Sequence, residues 1–264
     1  MKLTKSILIV LVTGAAVLAQ GPPPGGPGFG RRLAGPGGPG FGLHSRKLVT
    51  GAPYSAEMSS TRVETLLDGN VIQNTVSGKV ARDASGRTYS LETSTGGPLG
   101  QTGPVTRIAI FDPVAGYSYE LNPTTKTATR RAIHTPPAGS STPSSNAASR
   151  PANPNVVKSD LGTQPVNGVS AQGTSITRTI PAGAMGNAKP LVSTSTIWYS
   201  AELQTVISAT HSDPRSGQST FALTNIQTTA DPSLFQVPAG YTVTDATPGP
   251  RGQFGRRPGP PPQE

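Results

Sequence analysis

The residues that could carry acid–base or metal chemistry are few and scattered along the chain. The 264 residues include three histidines, His44, His134 and His211, thirteen acidic residues and no cysteine. The lack of cysteine excludes a disulfide scaffold and a Cys-ligated metal site, and the histidines are too far apart for local zinc spacing. The sequence contains no His-Glu-x-x-His, Gly-x-Ser-x-Gly, P-loop or dinucleotide-binding motif. We therefore expect no catalytic residue, no metal ligand, no cofactor-binding residue and no cofactor.

Some chemical arrangements can still assemble in space. A Ser-His-Asp triad would need a hydroxyl and a carboxylate within hydrogen-bond reach of His134 or His211. Glycoside hydrolysis would need two carboxylates across a cleft, and several acids are already accounted for by turns. Arg82 and Arg87 flank a turn, where they would bind an anionic ligand, pair with acids or stay solvated. The sequence predicts a protein that is not an enzyme, and a hydrolase remains the third alternative.

The elements that position these residues are short strands separated by sharp turns. Segments rich in Val, Ile, Thr, Tyr and Ser alternate with turn signals between residues 54 and 243, without a 3.6-residue apolar period. Two turns, 112–116 and 213–217, share the pattern Asp-Pro-x-x-Gly, in which Asp accepts amide bonds, Pro presets φ and Gly takes a positive φ. Asp231 is expected to cap one helical turn that starts at Pro232. Strands are predicted at 57–67, 71–81, 87–93, 105–111, 117–121, 126–134, 168–180, 191–199, 203–210 and 218–227.

These segments predict a mainly β fold. Roughly ten or eleven strands, linked mostly by hairpins, would form a single antiparallel meander sheet, and a sheet of that size must curl or close. The many Ser and Thr residues indicate one wet face, so we expect a curved sheet or half-open barrel around a modest core. Residues 48–245 form this β-domain, in which 135–155, rich in Pro, Ser and Ala, is predicted to be a flexible insertion.

Residues 1–19 have the pattern of a signal peptide. Lys2 and Lys5 precede an apolar run that ends in Ala-Val-Leu-Ala at 16–19, the small-x-small pattern of a cleavage site. The run from Ser6 to Ala19 holds about fourteen residues, fewer than the roughly 20 that a spanning helix needs. We expect cleavage near Ala19, export to the periplasm or the medium, and no transmembrane segment in the mature chain.

Residues 20–47 and 246–264 are predicted to be disordered tails rich in Gly, Pro and Arg. The stretch 21–42 holds 10 Gly and 6 Pro, and 248–264 holds 10 Gly or Pro. Such segments cannot bury enough apolar surface to offset the entropy of ordering. Much of the formal net charge of +9 belongs to these tails. An anionic envelope polymer or a lipid headgroup is their expected partner, nucleic acid is not, and a tail without a partner is the alternative.

Several motifs, taken in order, carry a family resemblance. Those in the first half are Arg-Asp-Ala-Ser-Gly-Arg-Thr at 82–88 and Ile-Phe-Asp-Pro-Val-Ala-Gly at 110–116. Those in the second half are Leu-Gly at 161–162, Val-Asn-Gly-Val at 166–169, Trp-Tyr-Ser-Ala-Glu-Leu at 198–203, Ser-Asp-Pro-Arg at 212–215 and Leu-Phe-Gln-Val-Pro-Ala-Gly-Tyr at 234–241. Together they resemble a mostly uncharacterised group of exported bacterial β-rich proteins. The motifs at 198–203 and 235–241 also look like domains of unknown function near the LolA/LolB lipoprotein-carrier fold, a half-open β-barrel with a hydrophobic concavity. Neither resemblance implies a catalytic residue.

The leading hypothesis is a non-catalytic, exported cell-envelope protein. It would bind an apolar or amphiphilic ligand (a lipid or a lipoprotein), or a protein partner, on the concave face of a curved sheet. The alternative is a structural or interaction protein whose basic tails contact anionic envelope polymers while the β-domain is a scaffold. Trp198 is expected in the core, and Phe235, Val237 and Tyr241 are expected to form an apolar plug that ties the last segment to the sheet.

Overall fold

The computed structural model describes residues 48–95, 103–133 and 153–246. The predicted signal peptide, almost all of both predicted tails, His44, His134 and most of the 135–155 insertion lie outside the described residues. No helix in the described ranges is long and apolar enough to cross a membrane. A 3-10 turn spans Pro232–Phe235, and the strands are β1 (Tyr54–Thr65), β2 (Val71–Arg82), β3 (Thr88–Thr95), β4 (Val105–Asp112), β5 (Tyr117–Asn122), β6 (Thr127–Ala132), β7 (Val156–Val166), β8 (Val169–Ile180), β9 (Leu191–Ser200), β10 (Thr205–Asp213), β11 (Gly217–Gln227) and β12 (Thr242–Asp245).

The twelve strands form one open sheet in the order β12-β6-β5-β4-β3-β2-β1-β11-β10-β9-β8-β7. The predicted mainly β, antiparallel and unclosed sheet is confirmed. Its meander has two halves, β1–β6 and β7–β11, because the last long strand pairs with the first and places β1 at the centre. Strand β12 then adds to the edge of β6 in parallel orientation.

Ten predicted strands agree with observed strands to within three residues at each end. Strands β7 and β12, which form the two edges of the sheet, are not among the predicted strands. Nine consecutive residues of β7 are exposed, so no apolar alternation marks it, and it contains Pro165, a residue typical of edge strands. All four residues of β12 are exposed as well. An edge strand without a buried face leaves no hydrophobic pattern in the sequence.

The two Asp-Pro-x-x-Gly turns form as predicted. The Asp112 side chain accepts hydrogen bonds from the amides of Val114 and Ala115, each at 2.9 Å, and Gly116 has a φ of 77°. In the second turn the Asp213 carboxylate accepts from the Arg215 amide at 2.8 Å. These contacts lie within five residues of sequence, which is why the pattern alone predicts them.

The larger apolar core lies on one face of the central strands. Tyr54, Ala56 and Met58 alternate along β1 toward this core, where Phe221 and Leu223 of β11 are also buried. Trp198, predicted to lie in the core, is half-buried and packs against it. Its ring occupies the space beside Gly173, where an added Cβ would lie 2.6 Å from the indole. The core accepts the indole there because residue 173 has no side chain.

Two side chains bridge strands that are not neighbours and show that the sheet curls over this core. The buried Arg82 guanidinium, at the end of β2, donates to the carbonyl of Ala52 at 2.8 and 3.0 Å and to the carbonyl of Leu203 in the β9–β10 turn. Asn167, in the β7–β8 turn, donates to the carbonyl of Leu223 at 2.7 Å. Strands β2 and β10 are separated by two others, as are β8 and β11. The curvature predicted from strand number is therefore held by specific hydrogen bonds.

Removing the Arg82 donors should open this curl. We expect Arg82→Met to lower the free energy of unfolding by about 2–4 kcal/mol, because two buried carbonyls lose charge-assisted bonds. Urea denaturation measures this change, and Arg178→Met, at an exposed position of β8, is the control, expected to stay within about 0.5 kcal/mol of the parent. Equal urea-unfolding midpoints for the two variants would contradict the conclusion that the Arg82 hydrogen bonds hold the curl.

Candidate functional site

The opposite face of the sheet has its own apolar cluster, over which the chain passes. Ile110, Leu121 and Ala128 are buried there on β4, β5 and β6. Residues 228–241, here called the crossing segment, lead from β11 at the centre of the sheet to β12 at its edge. They therefore pass over the strands in between.

The crossing segment is attached to the sheet by the predicted plug. Phe235 is buried, and Val237 and Tyr241 pack against the cluster beneath them. Asp231 caps the 3-10 turn as expected, accepting a hydrogen bond from the Ser233 amide at 2.9 Å. The predicted plug and its cap are both confirmed.

A groove with a volume of about 800 Å³ lies on this face beside the crossing segment. Its floor is formed by β1, β2, β3 and β11, and Leu234 of the crossing segment lines it from above. Tyr89 and Leu91 make part of the lining apolar, whereas Glu57 and Lys79 place two charged groups in it. The remaining polar lining consists of Asn225 and the hydroxyl groups of Ser55, Ser59, Ser77 and Thr224.

The strand register explains this mixture of polar and apolar lining. Residues directly opposite each other in antiparallel strands share a face, so Thr224, Glu57, Lys79 and Leu91 form one row across the floor. The same row continues through Ile108, Leu121 and Ala128 toward the edge of the sheet. It changes from polar at the centre to apolar at β6, and the groove lies where the two parts meet.

A β-bulge positions the polar end of the row. The register of β1 against β11 shifts between Ser55 and Glu57, and Asn225 has a φ of 51°, which is uncommon for a residue other than glycine. The Asn225 amide donates to the Glu57 carboxylate at 2.8 Å. In the part of the chain that the structure describes, neither Glu57 nor Lys79 forms an ion pair. The floor thus presents one carboxylate and one ammonium group, on adjacent strands, to the groove.

The two arginines singled out from the sequence are engaged within the protein. Arg82 binds the carbonyls described above, and its guanidinium carbon lies 5.0 Å from the centre of the Tyr54 ring. Burial lowers the pKa of Arg82 because its charged form loses water. Arg87 pairs with Asp83 at 2.6 Å and lies over the Phe235 ring at 5.4 Å. Arg87 thus pairs with an acid, one of the three roles predicted for it, whereas Arg82 is buried against backbone carbonyls, a role that the sequence did not predict.

His211 contacts a hydroxyl group but lacks the carboxylate partner that a Ser-His-Asp triad requires. Ser195 Oγ lies 2.8 Å from its Nδ1, whereas the neighbouring Asp213 carboxylate forms a bidentate pair with Arg215. That pairing lowers the pKa of the Asp213 carboxyl. No carboxylate bonds to His211 among the contacts of the described residues, and His134 lies outside them. The ranges described also hold no cluster of three metal-binding side chains.

The residues that line the groove are not among the site residues predicted from the sequence. Alternation along β1 could have indicated that Ser55, Glu57 and Ser59 share the face opposite to Tyr54 and Ala56. Bringing Lys79, Leu91 and Leu234 to the same place requires the register of four strands and the path of the crossing segment. Neither of these is encoded in a local pattern.

Comparison with known proteins adds structural neighbours of low similarity. No protein-family model and no curated protein matches the chain. An uncharacterized conserved protein from Thermus thermophilus aligns at 8% identity over 74% of this chain and 91% of that one, with a TM-score of 0.39. The MucA/MucB complex of Pseudomonas aeruginosa aligns at 12% identity over 72% of this chain and 56% of that one, with a TM-score of 0.36.

A third neighbour is a putative outer membrane lipoprotein-sorting protein domain from Vibrio parahaemolyticus. It aligns at 11% identity over 70% of this chain and 89% of that one, with a TM-score of 0.27. The chain spans little more than half of the MucA/MucB chain that it matches. The kinds of protein named by the sequence resemblance, uncharacterised proteins and lipoprotein-sorting folds, both occur among these structures.

The Asn225 bulge offers a direct test of how the groove floor is built. Asn225→Val places a β-branched side chain at a positive φ, and we expect it to lower the free energy of unfolding by about 2 kcal/mol. Asn225→Gly removes the same amide from Glu57 but adopts this φ freely, and should stay within about 1 kcal/mol of the parent. Denaturant unfolding compares them, and equal losses would assign the effect to the Glu57 contact instead of the backbone.

Proposed function

We propose that this protein is a non-catalytic, exported protein of the cell envelope that binds an amphiphilic ligand in the groove. The proposal rests on the row formed by Thr224, Glu57, Lys79 and Leu91, which the crossing segment leaves open. Along this row, polar side chains are followed by apolar ones. A ligand with a polar head and an apolar chain matches that order.

The lining favours an amphiphile over a ligand that is entirely apolar or entirely polar. A purely apolar molecule would remove water from Glu57 and Lys79 without replacing it, which is unfavourable for charged groups. A purely polar molecule would gain nothing from Tyr89, Leu91 and Leu234. An alkyl chain laid along those three side chains gains about 0.8 kcal/mol for each methylene that it buries. The groove volume of about 800 Å³ is typical of small-molecule sites.

Export rests on the N-terminal pattern of the sequence. The basic start, the apolar run and the Ala-Val-Leu-Ala ending at 16–19 together favour cleavage after Ala19. Mass spectrometry of the protein recovered from the periplasmic and secreted fractions should find an N-terminus at Gln20. A chain recovered only from the cytoplasm, with Met1 retained, would contradict this part of the proposal.

A second candidate function follows from the charge of the tails. Arginine and lysine are concentrated in and beside 20–47 and 246–264, which would attract anionic envelope polymers. Deleting 21–46 and 248–264 tests this alternative, because it removes that charge without touching the groove. Unchanged envelope association of the truncated protein would remove this candidate.

Filling the groove should block ligand binding. Ser59 is an exposed residue of the groove floor, so Ser59→Trp occupies the space without disturbing the core. We expect it to weaken binding of 11-(dansylamino)undecanoic acid, a fluorescent amphiphile, at least about tenfold, equivalent to about 1.4 kcal/mol. Thr210→Trp, at an exposed position of β10 outside the groove, is the matched control and should bind the probe as the parent does.

Native mass spectrometry of the protein purified from cells provides the second measurement. The parent should carry a co-purified amphiphile that Ser59→Trp has lost. Equal probe affinity for the parent and Ser59→Trp, together with an absence of bound amphiphile in both, would refute the groove as a ligand site.

A further inference from the structure

The tip of the β1–β2 hairpin exposes an unusual amount of apolar surface. Leu67 is fully exposed at 110% of its reference area, Val71 is 54% exposed, Ile72 43% and Leu66 37%. These four large side chains lie within seven consecutive residues, separated only by the Asp68-Gly69-Asn70 turn. Scattered exposed aliphatic residues are ordinary on a protein surface, whereas a contiguous group marks an interaction site.

Among the described residues, the hairpin extends beyond the paired parts of its neighbouring strands. Strand β11 pairs with β1 only as far as Val63, and β3 pairs with β2 only as far as Thr75. The arm between these positions has no further strand beside it in the described ranges. Its turn is nevertheless well defined, because the Leu66 amide donates to the Asn70 carbonyl at 2.8 Å and the Asn70 amide to the Asp68 carboxylate at 2.9 Å. The apolar tip is therefore held out on an ordered arm.

The distribution of the apolar residues indicates the kind of partner. Val71 lies opposite Thr65, and Ile72 lies opposite Glu64, so these two aliphatic side chains emerge on different faces of the hairpin. A protein pocket or a second copy docked on one face would leave the other face in water. The interfacial layer of a bilayer surrounds the tip, so that both aliphatic side chains contact acyl chains while the carboxylates of Glu64 and Asp68 stay among hydrated headgroups.

The dimensions of the arm agree with a membrane interface. Two residues at about 3.3 Å each separate the turn from the polar positions Gln73 and Asn74. The part that carries the four aliphatic side chains is thus about 7 Å deep, within the roughly 5–10 Å to which interfacial elements enter a bilayer, and it also holds the carboxylates of Asp68 in the turn and of Glu64 opposite Ile72. Glu64 and Asp68 are the charged residues of the arm, Arg62 at its base pairs with Glu64 at 3.8 Å, and the arm itself has no basic residue to attract anionic lipid. We propose that the β1–β2 tip inserts into the interfacial layer of a lipid bilayer, independently of whether the groove holds a ligand and without a need for anionic lipid.

The lack of cysteine in the chain makes the insertion measurable at one position. Leu67→Cys, labelled with the environment-sensitive fluorophore NBD, reports the surroundings of the tip in the otherwise intact full chain. The control is Val114→Cys, labelled in the same way. Val114 is 72% exposed in the β4–β5 turn, and the register places that turn at the opposite end of the sheet.

With phosphatidylcholine vesicles we expect a blue-shifted emission at position 67 that is quenched by shallow doxyl lipids, and no change at position 114. Because the fluorophore reports its own surroundings, binding through the apolar N-terminal run cannot produce this result. A second chain, labelled at Ile72→Cys and carrying Leu67→Asp, should lose the shift that Ile72→Cys alone shows. Its unfolding midpoint should equal that of the parent, since Leu67 makes no buried contact.

Two outcomes would overturn the proposal. One is an emission at position 67 that vesicles leave unchanged. The other is a blue shift that appears without vesicles as the protein concentration rises, which would assign the tip to contact with a second copy.

Discussion

Every sheet has two faces, and the described part of this chain contains no α-helix to cover either of them. Each apolar stretch must therefore be covered by the sheet itself or by a connecting segment, because exposed apolar surface in water is unfavourable. The protein uses both solutions. One face curls over the core around Met58 and Leu223, whereas the other is covered by the crossing segment through Phe235. The remaining features follow from where this coverage is complete and where it stops.

On the core side, polar side chains cross-link strands of the curled sheet and so keep the core covered. Arg82, through the carbonyl of Leu203, and Asn167, through that of Leu223, each reach over two intervening strands, and these bonds hold the curl more specifically than apolar packing could. Arg87, paired with Asp83, lies over the ring that anchors the crossing segment. Residues that look like anion-binding candidates in the sequence thus stabilise the fold, since a buried cation needs acceptors wherever the chain can supply them.

Two parts of the sheet are left uncovered, the groove and the hairpin tip, and each is the basis of one proposal. The groove lies where the crossing segment leaves the row from Glu57 to Leu91 open, and the hairpin tip lies where β1 and β2 extend beyond both neighbours. The groove combines charged and apolar lining, while the tip exposes aliphatic side chains on both faces. Their different chemistry is the reason for proposing different partners, an amphiphilic molecule for the first and a lipid surface for the second. A protein that takes up amphiphiles has a physical reason to rest at the surface that contains them.

Local patterns in the sequence determined the turns, ten of the twelve strands and the plug. Asp112 and Asp231 act on amides two or three residues away, and Phe235, Val237 and Tyr241 follow a recognisable spacing. Only the tertiary structure decided that β11 returns to β1, that Lys79 lies between Glu57 and Leu91, and that Leu234 lies above them. Hydrogen-bond chemistry within a turn depends on neighbours in the chain, so sequence alone specifies it. Register and strand order depend on which of many distant pairings buries the most apolar surface, and that competition is settled only when the whole sheet forms.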